Sequence, residues 1–168
     1  MNDVNPSLLR LTASDIGDVD TLAREVWQAT YPPLISQAQI DAMLADRYSP
    51  ARIGEQLADP RHAWWGARQG DSLLGFAHAM QETQSICKLD KLYVHPAHQR
   101  RGIGAALLKE IEAWAHQRQM GRLKLQVNRG NAQAIRAYEK YGFQVIASYV
   151  FDIGQGFVMD DHVMERML

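Results

Sequence analysis

Hydrophobic residues recur at helical spacing in the first third of the chain. The apolar positions between Ile16 and Val26 follow a capping Ser14-Asp15 and predict a first helix, which the prolines after Tyr31 end. Ser36 and Gln39 have the spacing of a capping box and predict a second helix. Ser49-Pro50 predicts a third helix, which runs to about residue 58.

The pattern changes to strand-like alternation after Asp59-Pro60, and Gly70-Asp71-Ser72 predicts a hairpin turn between the first two strands. The predicted strands are Leu8–Thr12, Ala63–Gln69, Leu73–Gln81, Ser85–Val94, Arg122–Val127, Phe143–Tyr149 and about Asp161–Met167, the last two separated by a loop at Gly154–Gly156. Helices are predicted from Gly102 to about Gln119 and from Asn131 through Tyr141. This order predicts a mixed α/β sheet in a single domain spanning residues 1–168.

Composition restricts the classes of protein further. The 168 residues suit one domain, and a net charge of −1 does not indicate a nucleic-acid or membrane binder. Cys87 is the one cysteine, so no disulfide forms within the chain, and we expect a buried, inert thiol. The N-terminus lacks a signal-peptide pattern, and no apolar run reaches the roughly 20 residues that span a bilayer. We therefore expect a cytoplasmic protein.

The stretch from Leu89 to Ala113 carries the clearest chemistry. A strand ends at Val94, a short basic segment follows, and Arg100-Arg101-Gly102-Ile103-Gly104 leads directly into an amphipathic helix. The first amides of a helix are unpaired and lie at the positive end of its dipole, so this junction predicts a pyrophosphate site. The turn is not followed by the Lys-Ser/Thr of a P-loop, which disfavours a phosphotransferase.

Two motifs in this half of the chain resemble those of the GCN5-related N-acetyltransferase (GNAT) superfamily. Gln99 to Ala105 matches Q/R-x-x-G-x-G/A, and Asn131 to Phe143 matches N-x-x-A-x-x-x-Y-x-x-x-G-F. The first helix, ending in Trp27-Gln28-Ala29-Thr30-Tyr31, and the C-terminal HVMERML give a weaker similarity to PaiA-type bacterial acetyltransferases, which are linked to polyamine acetylation.

The resemblance implies a mostly antiparallel sheet of about seven strands, flanked by helices and opened by a bulge where acetyl-CoA binds. Acetyl-CoA is then the co-substrate, and no metal is expected. The glycines allow its phosphates to approach the amides. The implied acetyl-CoA-binding residues are Leu92, Tyr93, Val94, Gln99, Arg100, Arg101, Gly102, Ile103, Gly104, Ala105, Asn131, Ala134 and Tyr138.

In the resembling family Tyr138 acts as the general acid that protonates the leaving thiolate, and a backbone N–H near Val94 polarises the thioester carbonyl. The general base is left open between Asp90, Glu82 and a water molecule. Trp27, Tyr31 and Glu82 are the expected acceptor-site residues.

The sequence thus favours direct acetyl transfer to a primary amine, first to a polyamine or another small amine. The alternatives are a protein N-terminal or lysine acetyltransferase and a non-catalytic acyl-CoA-binding module. A polyamine site should concentrate acidic side chains, for which the candidates are Asp41, Asp46, Glu55, Asp59, Glu82 and Asp90. No nucleic-acid or membrane partner is expected, and family analogy adds a homodimer.

Overall fold

The computed structural model describes residues 5–168, which form a seven-stranded sheet in the order β1-β2-β3-β4-β5-β7-β6. Every neighbouring pair is antiparallel except β4 and β5, which are parallel. The strands are β1 Ser7–Arg10, β2 His62–Gln69, β3 Ser72–Gln81, β4 Ile86–Val94, β5 Arg122–Asn128, β6 Gln144–Gly154 and β7 Phe157–Met167. The predicted mixed, mostly antiparallel sheet is confirmed.

Five α-helices cover the sheet, and local capping sets where several of them begin. They are α1 Ile16–Thr30, α2 Gln37–Arg47, α3 Pro50–Ala58, α4 Ile103–Gln117 and α5 Ala132–Lys140. The Ser36 hydroxyl accepts a hydrogen bond from the Gln39 amide at 3.1 Å, as the capping box predicts. The Gln39 side chain does not complete the box, because it donates to the Val158 carbonyl at 2.7 Å and so ties α2 to β7.

The sheet has a hydrophobic core on each face. The cluster under α1, α2 and α3 contains Trp64, and the cluster under α4 contains Trp65. The two tryptophans are adjacent in β2, so their side chains point to opposite faces, and both are buried. Helices therefore cover both sides of this strand.

The C-terminal hairpin differs most from the sequence prediction. β6 and β7 have 11 residues each and are joined by a tight turn at Gln155 and Gly156, where the sequence predicted short strands and a loop. The segment from residue 150 to 160 has no clear alternation of apolar and polar residues, so strand pairing across the hairpin decides its conformation.

Candidate active site

The sheet opens between β4 and β5. The two strands pair only from Ile86–Lys88 to Arg122–Lys124, so beyond Lys88 the β5-facing backbone of β4 has no strand partner in the part of the chain that the structure describes. On its other edge β4 carries a bulge at Asp90, because Leu89 pairs with Ala79 while Lys91 pairs with His78. The opened strand pair that the resemblance implied is present, and the extra residue is Asp90.

The bulge also changes the alternation of side chains along β4. Leu89 and Leu92 both pack in the core under α4, although they are three residues apart. Lys91 lies on the opposite face, where its ammonium is 5.3 Å from the ring centres of both Tyr48 and Trp64. Asp90 also reaches this face, through a hydrogen bond to His78. The bulge therefore places two charged residues beside the opening.

The start of α4 lies beside the end of β4 and presents free amides. Gly102 has φ +80° and precedes α4. The first helical hydrogen bond runs from the Ala106 amide to the Gly102 carbonyl, at 3.0 Å. The amides of Ile103, Gly104 and Ala105 have no acceptor among residues 5–168. These three N–H groups, at the positive end of the helix dipole, have the arrangement that the sequence predicted for an anion site.

Side-chain amides connect this helix start to its neighbours. Gln99 donates to the Val94 carbonyl at 3.2 Å and accepts a bond from Gln133 of α5 at 3.4 Å. Asn131 caps α5 by accepting from the Ala134 amide at 3.3 Å. The end of β4 and the starts of α4 and α5, three segments distant in sequence, are thus held together.

Three tyrosines that the sequence analysis assigned to the site lie close together at the opening. The hydroxyls of Tyr31 and Tyr93 are hydrogen-bonded at 3.0 Å, and the Tyr138 ring packs edge-on against Phe143 at 5.7 Å. Burial raises the pKa of Tyr138 above its ordinary value, and Tyr31 adds to that effect. Burial also raises the pKa of Tyr31 and of Tyr93. The Tyr138 phenol is therefore protonated at neutral pH and able to donate a proton.

Asp90 belongs to a buried polar network. Its carboxylate accepts hydrogen bonds from His78, at 2.9 Å, and from Lys91, at 2.5 Å, and His78 is also bonded to His62 at 2.9 Å. Burial alone would raise the pKa of Asp90, but the Lys91 ammonium and the His78 ring outweigh it and hold that pKa well below its usual range. An acid with so low a pKa is a weak proton acceptor, and positioning of Lys91 is the role that its contacts favour.

Two of the expected acceptor-site residues are engaged by other side chains of the protein. Trp27 is 2% exposed and donates to the Tyr48 hydroxyl at 3.3 Å, so it packs in the core. Glu82 follows β3 at the closed end of the β4–β5 pair and is bonded to Lys124 at 2.8 Å. Their roles in acceptor binding stay predictions.

An open pocket of about 490 Å³ lies on the α2 side of the opening. Asp90 lines it from β4 and Gln126 from β5, while α2, α3 and the β6–β7 turn form the other walls. This volume is in the range that suits a small-molecule ligand.

Sequence reasoning missed Asp161, a buried acid on β7. It is 6% exposed, its Oδ1 has no hydrogen-bond partner among the described residues, and burial raises its pKa to about 6. It pairs with Asn128 of β5 and so shares a sheet face with it. The available signal was strand alternation, because Asp161 stands between Met159 and Val163 at apolar positions.

The thiol of Cys87 lies in the hydrophobic core under α4. Cys87 is fully buried, and burial raises its thiol pKa to about 12, which confirms an unreactive thiol. Within residues 5–168 no three His, Cys, Asp or Glu side chains are grouped to hold a metal ion. No helix in that part of the chain is long and apolar enough to cross a membrane.

The opened strand pair and the free amides at the start of α4 indicate an acyltransferase, and comparisons with known proteins agree with that class. Residues 21–143 match the acetyltransferase (GNAT) family. An uncharacterised N-acetyltransferase of Mycobacterium tuberculosis is 30% identical over 155 residues, which cover 92% of this chain and 99% of that protein. The chain belongs to the GNAT family and is an acetyl-CoA-dependent N-acetyltransferase.

Two similar proteins come from Thermoplasma acidophilum. Its spermidine N(1)-acetyltransferase is 26% identical over 140 residues, covering 81% of this chain and 86% of that protein. The crystal structure of its PaiA N-acetyltransferase in complex with coenzyme A superposes with a TM-score of 0.84 at 24% identity, covering 96% of this chain and 98% of that one. The second comparison shows the shared fold.

Proposed function

We propose that this enzyme moves the acetyl group of acetyl-CoA directly to the primary amine of a small molecule. The observation that carries the proposal is the opening between β4 and β5, which has the free amides of α4 at one side and an open pocket at the other. A thioester in the opening would then be accessible to an amine in the pocket, and the two reactants would be held in order.

The acetyl-CoA pyrophosphate binds at the amides of residues 103–105, with Arg100 and Arg101 adding positive charge. The pantetheine arm pairs with the free edge of β4 from Leu92 to Val94, since no strand occupies that edge. Asn131 and Ala134 flank the same space from the start of α5. The binding of coenzyme A by the structurally similar PaiA protein supports this placement.

The reaction needs an acid for the leaving thiolate. Tyr138 is the proposed acid: its hydroxyl gives its proton to the coenzyme A sulfur as the C–S bond breaks, and the resulting tyrosinate takes back the proton that the attacking nitrogen loses as it becomes the neutral amide nitrogen. A thiolate whose conjugate acid has a pKa near 8.5 takes that proton readily from a positioned donor. A β4 backbone amide near Val94 polarises the carbonyl oxygen in the transition state.

A free-thiol release assay with acetyl-CoA and a panel of amines tests the function. The panel holds spermidine and spermine, which the related spermidine acetyltransferase suggests, together with amino acids, aminoglycosides and short peptides. Acceptor-dependent release of CoASH and an acetylated product of the expected mass support the proposal. If acetyl-CoA binds but no amine causes release of CoASH, the protein is a non-catalytic binding module instead. Release with peptides alone would favour a protein acetyltransferase.

A further inference from the structure

The charge of the pocket is opposite to that of a polyamine site. Its wall carries four cationic side chains and two acidic ones, which are Arg47, Arg52, Lys88, Lys91, Asp46 and Asp90. Of the six acids that the sequence suggested for polyamine binding, only Asp46 and Asp90 line the pocket.

Both of these acids are already paired with a cation of the protein. Asp46 accepts from Arg52 at 2.8 Å, and Asp90 from Lys91 at 2.5 Å. The neighbouring cation offsets the attraction of each carboxylate for a ligand ammonium, because an ion pair has almost no net charge at a distance. Among the residues that line the pocket, no carboxylate is therefore free of a cation of the protein.

Two cations of the wall remain without a close acidic partner. Arg47, on the last turn of α2, has no ion pair among residues 5–168, and the Lys88 ammonium is 4.0 Å from the nearest Asp90 oxygen. Arg47 is only partly exposed, so water screens its charge less than at a free surface. A multiply charged polyamine would meet net repulsion here, whereas an anion would gain charge-assisted hydrogen bonds.

We propose that the acceptor amine also carries an anionic group, a carboxylate or a phosphate, and that Arg47 and Lys88 bind this group. The proposal rests on the proposed function, since it names the substrate class of the same pocket. The amine of the acceptor points to the opening between β4 and β5, and its anion lies towards α2.

Matched amines that differ by one anionic group test this proposal. The carboxylate pairs are lysine with cadaverine, ornithine with putrescine, and phenylalanine with phenethylamine; the phosphate pair is O-phosphoethanolamine with ethanolamine. Each amine is measured twice with the full chain: by thiol release with acetyl-CoA, and by calorimetric binding in the presence of CoA. We expect the anionic member of at least one pair to exceed its partner about tenfold or more in affinity and in kcat/KM.

The variant Arg47→Gln removes one of the two free cations while keeping a polar side chain of similar length. We expect this variant to bind the anionic amine of a pair about tenfold more weakly and to bind the matched amine without the anion within about twofold of the wild-type affinity. Arg24→Gln is the matched control, because Arg24 is an exposed residue of α1 paired with Asp20, outside the pocket. Acetyl-CoA affinity should be the same in both variants.

The outcomes separate this inference from the proposed function. Equal or weaker binding of every anionic member, or no binding of any amine, would overturn the inference. Turnover of polyamines in preference to the amino acids would overturn it while leaving the acetyltransferase function intact. Selective binding of the anionic members without any thiol release would support the inference and contradict the proposed function.

A second observation, independent of the first, concerns the proton that the acceptor must lose. The Asp161 carboxylate is buried on the sheet face that also carries Asn128, and its Oδ1 has no partner among the described residues. The charged and titratable groups that act on it are Arg47 of α2, Lys88 of β4, Tyr31 just after α1, and its neighbours Asp160 and His162 on β7. Burying an unpaired carboxylate costs folding free energy, so its presence in the fold points to a functional role.

We infer that Asp161 is the general base that takes the proton from the acceptor ammonium. The N–H bond of the ammonium breaks and its proton goes to the Asp161 carboxylate, after which the freed lone pair attacks the thioester carbonyl. The proton of Asp161 leaves to solvent when the product departs. A carboxylate with its pKa raised to about 6 accepts a proton far better than Asp90 does.

The test compares Asp161→Asn with Asp160→Asn, a neighbouring exposed acid that is paired with Arg129. We expect Asp161→Asn to lower kcat about 10²-fold or more and to remove the acidic limb of the pH–rate profile, with acetyl-CoA affinity unchanged. Asp161→Glu should restore part of the rate and the limb. Asp160→Asn should behave as the parent. Retention of the acidic limb and of turnover in Asp161→Asn would exclude this role.

Discussion

Tyr138 gains its proposed chemistry from its surroundings. The phenol is kept protonated by burial, and its ring is fixed by an edge-on contact with Phe143. The helical position of Tyr138 was readable from the sequence, but a helix tyrosine usually serves packing alone. Its approach to Tyr31, which follows α1, and to Tyr93 of β4 depends on how these elements pack across the opening.

Tyr138→Phe separates the acid role from packing. The ring and its contact with Phe143 are retained, so the fold and acetyl-CoA affinity should be unchanged. Loss of the donor should lower turnover about 10²-fold, as measured by steady-state thiol release and calorimetry. Tyr149→Phe, at an exposed tyrosine of β6, is the control. Wild-type turnover in Tyr138→Phe would exclude the acid role.

The buried network of His62, His78, Asp90 and Lys91 makes stability depend on pH. Burial lowers the pKa of His78 to about 4, against the opposing effect of Asp90. The unfolded chain, with a histidine pKa near 6.5, binds this proton first as the pH falls. The His78 contribution is therefore present above about pH 6.5, declines as the pH falls, and is lost below about pH 4.

Urea unfolding at pH 7.5, 5.5 and 4.5 checks this dependence. The wild type should lose roughly 2 kcal/mol of its free energy of unfolding over this range through His78, and His78→Gln should lose correspondingly less. His116→Gln, at an exposed position of α4, should keep the wild-type dependence. Identical pH dependence in all three proteins would show that His78 does not contribute.

At the scale of elements, the start of α4 is where the sequence was most informative. The glycine at 102 is required by its backbone, since φ is +80°, and a Cβ there would meet no protein atom within 4 Å. A Cβ at Gly104 would meet the Tyr141 hydroxyl at 3.7 Å, an ordinary contact. No protein atom crowds either glycine, so the space beside them is open to the phosphates of a ligand.

Gly102→Asp tests this anion site, with Gly102→Asn as its matched control. Both side chains strain the left-handed backbone similarly, but only aspartate adds negative charge beside the α4 amides. We expect acetyl-CoA affinity, measured by calorimetry, to fall at least about tenfold further in Gly102→Asp than in Gly102→Asn. Equal affinity in the two variants would contradict a pyrophosphate site at this turn.

At the scale of the whole molecule, β6 is an edge strand that exposes apolar side chains. Val145, Ile146, Tyr149 and Val150 are between 43% and 64% exposed, and within residues 5–168 β6 pairs only with β7. A long apolar edge is normally covered or avoided in native proteins. The homodimer expected from family analogy stays a prediction, and this edge is the surface at which we expect it.

Light scattering across a range of concentrations tests the dimer. The wild type should have twice the mass of the chain, and Val150→Glu should shift it to the monomer because a charge would be buried at the interface. Thr21→Glu, at an exposed position on α1, should leave the mass unchanged. A wild type that is monomeric at all concentrations would contradict the prediction.

The sequence by itself determined the order of helices and strands, the caps at Ser36 and Ser49, and the start of α4 after Gly102, because capping, periodicity and glycine act over a few residues. The length of the β6–β7 hairpin and the positions of Trp27 and Glu82 were decided by tertiary contacts. So were the pairing of Asp46 and Asp90 with cations and the isolation of Asp161. Burial and charge neutralisation depend on residues far apart in sequence, so only the folded chain shows which acids stay free at the proposed active site.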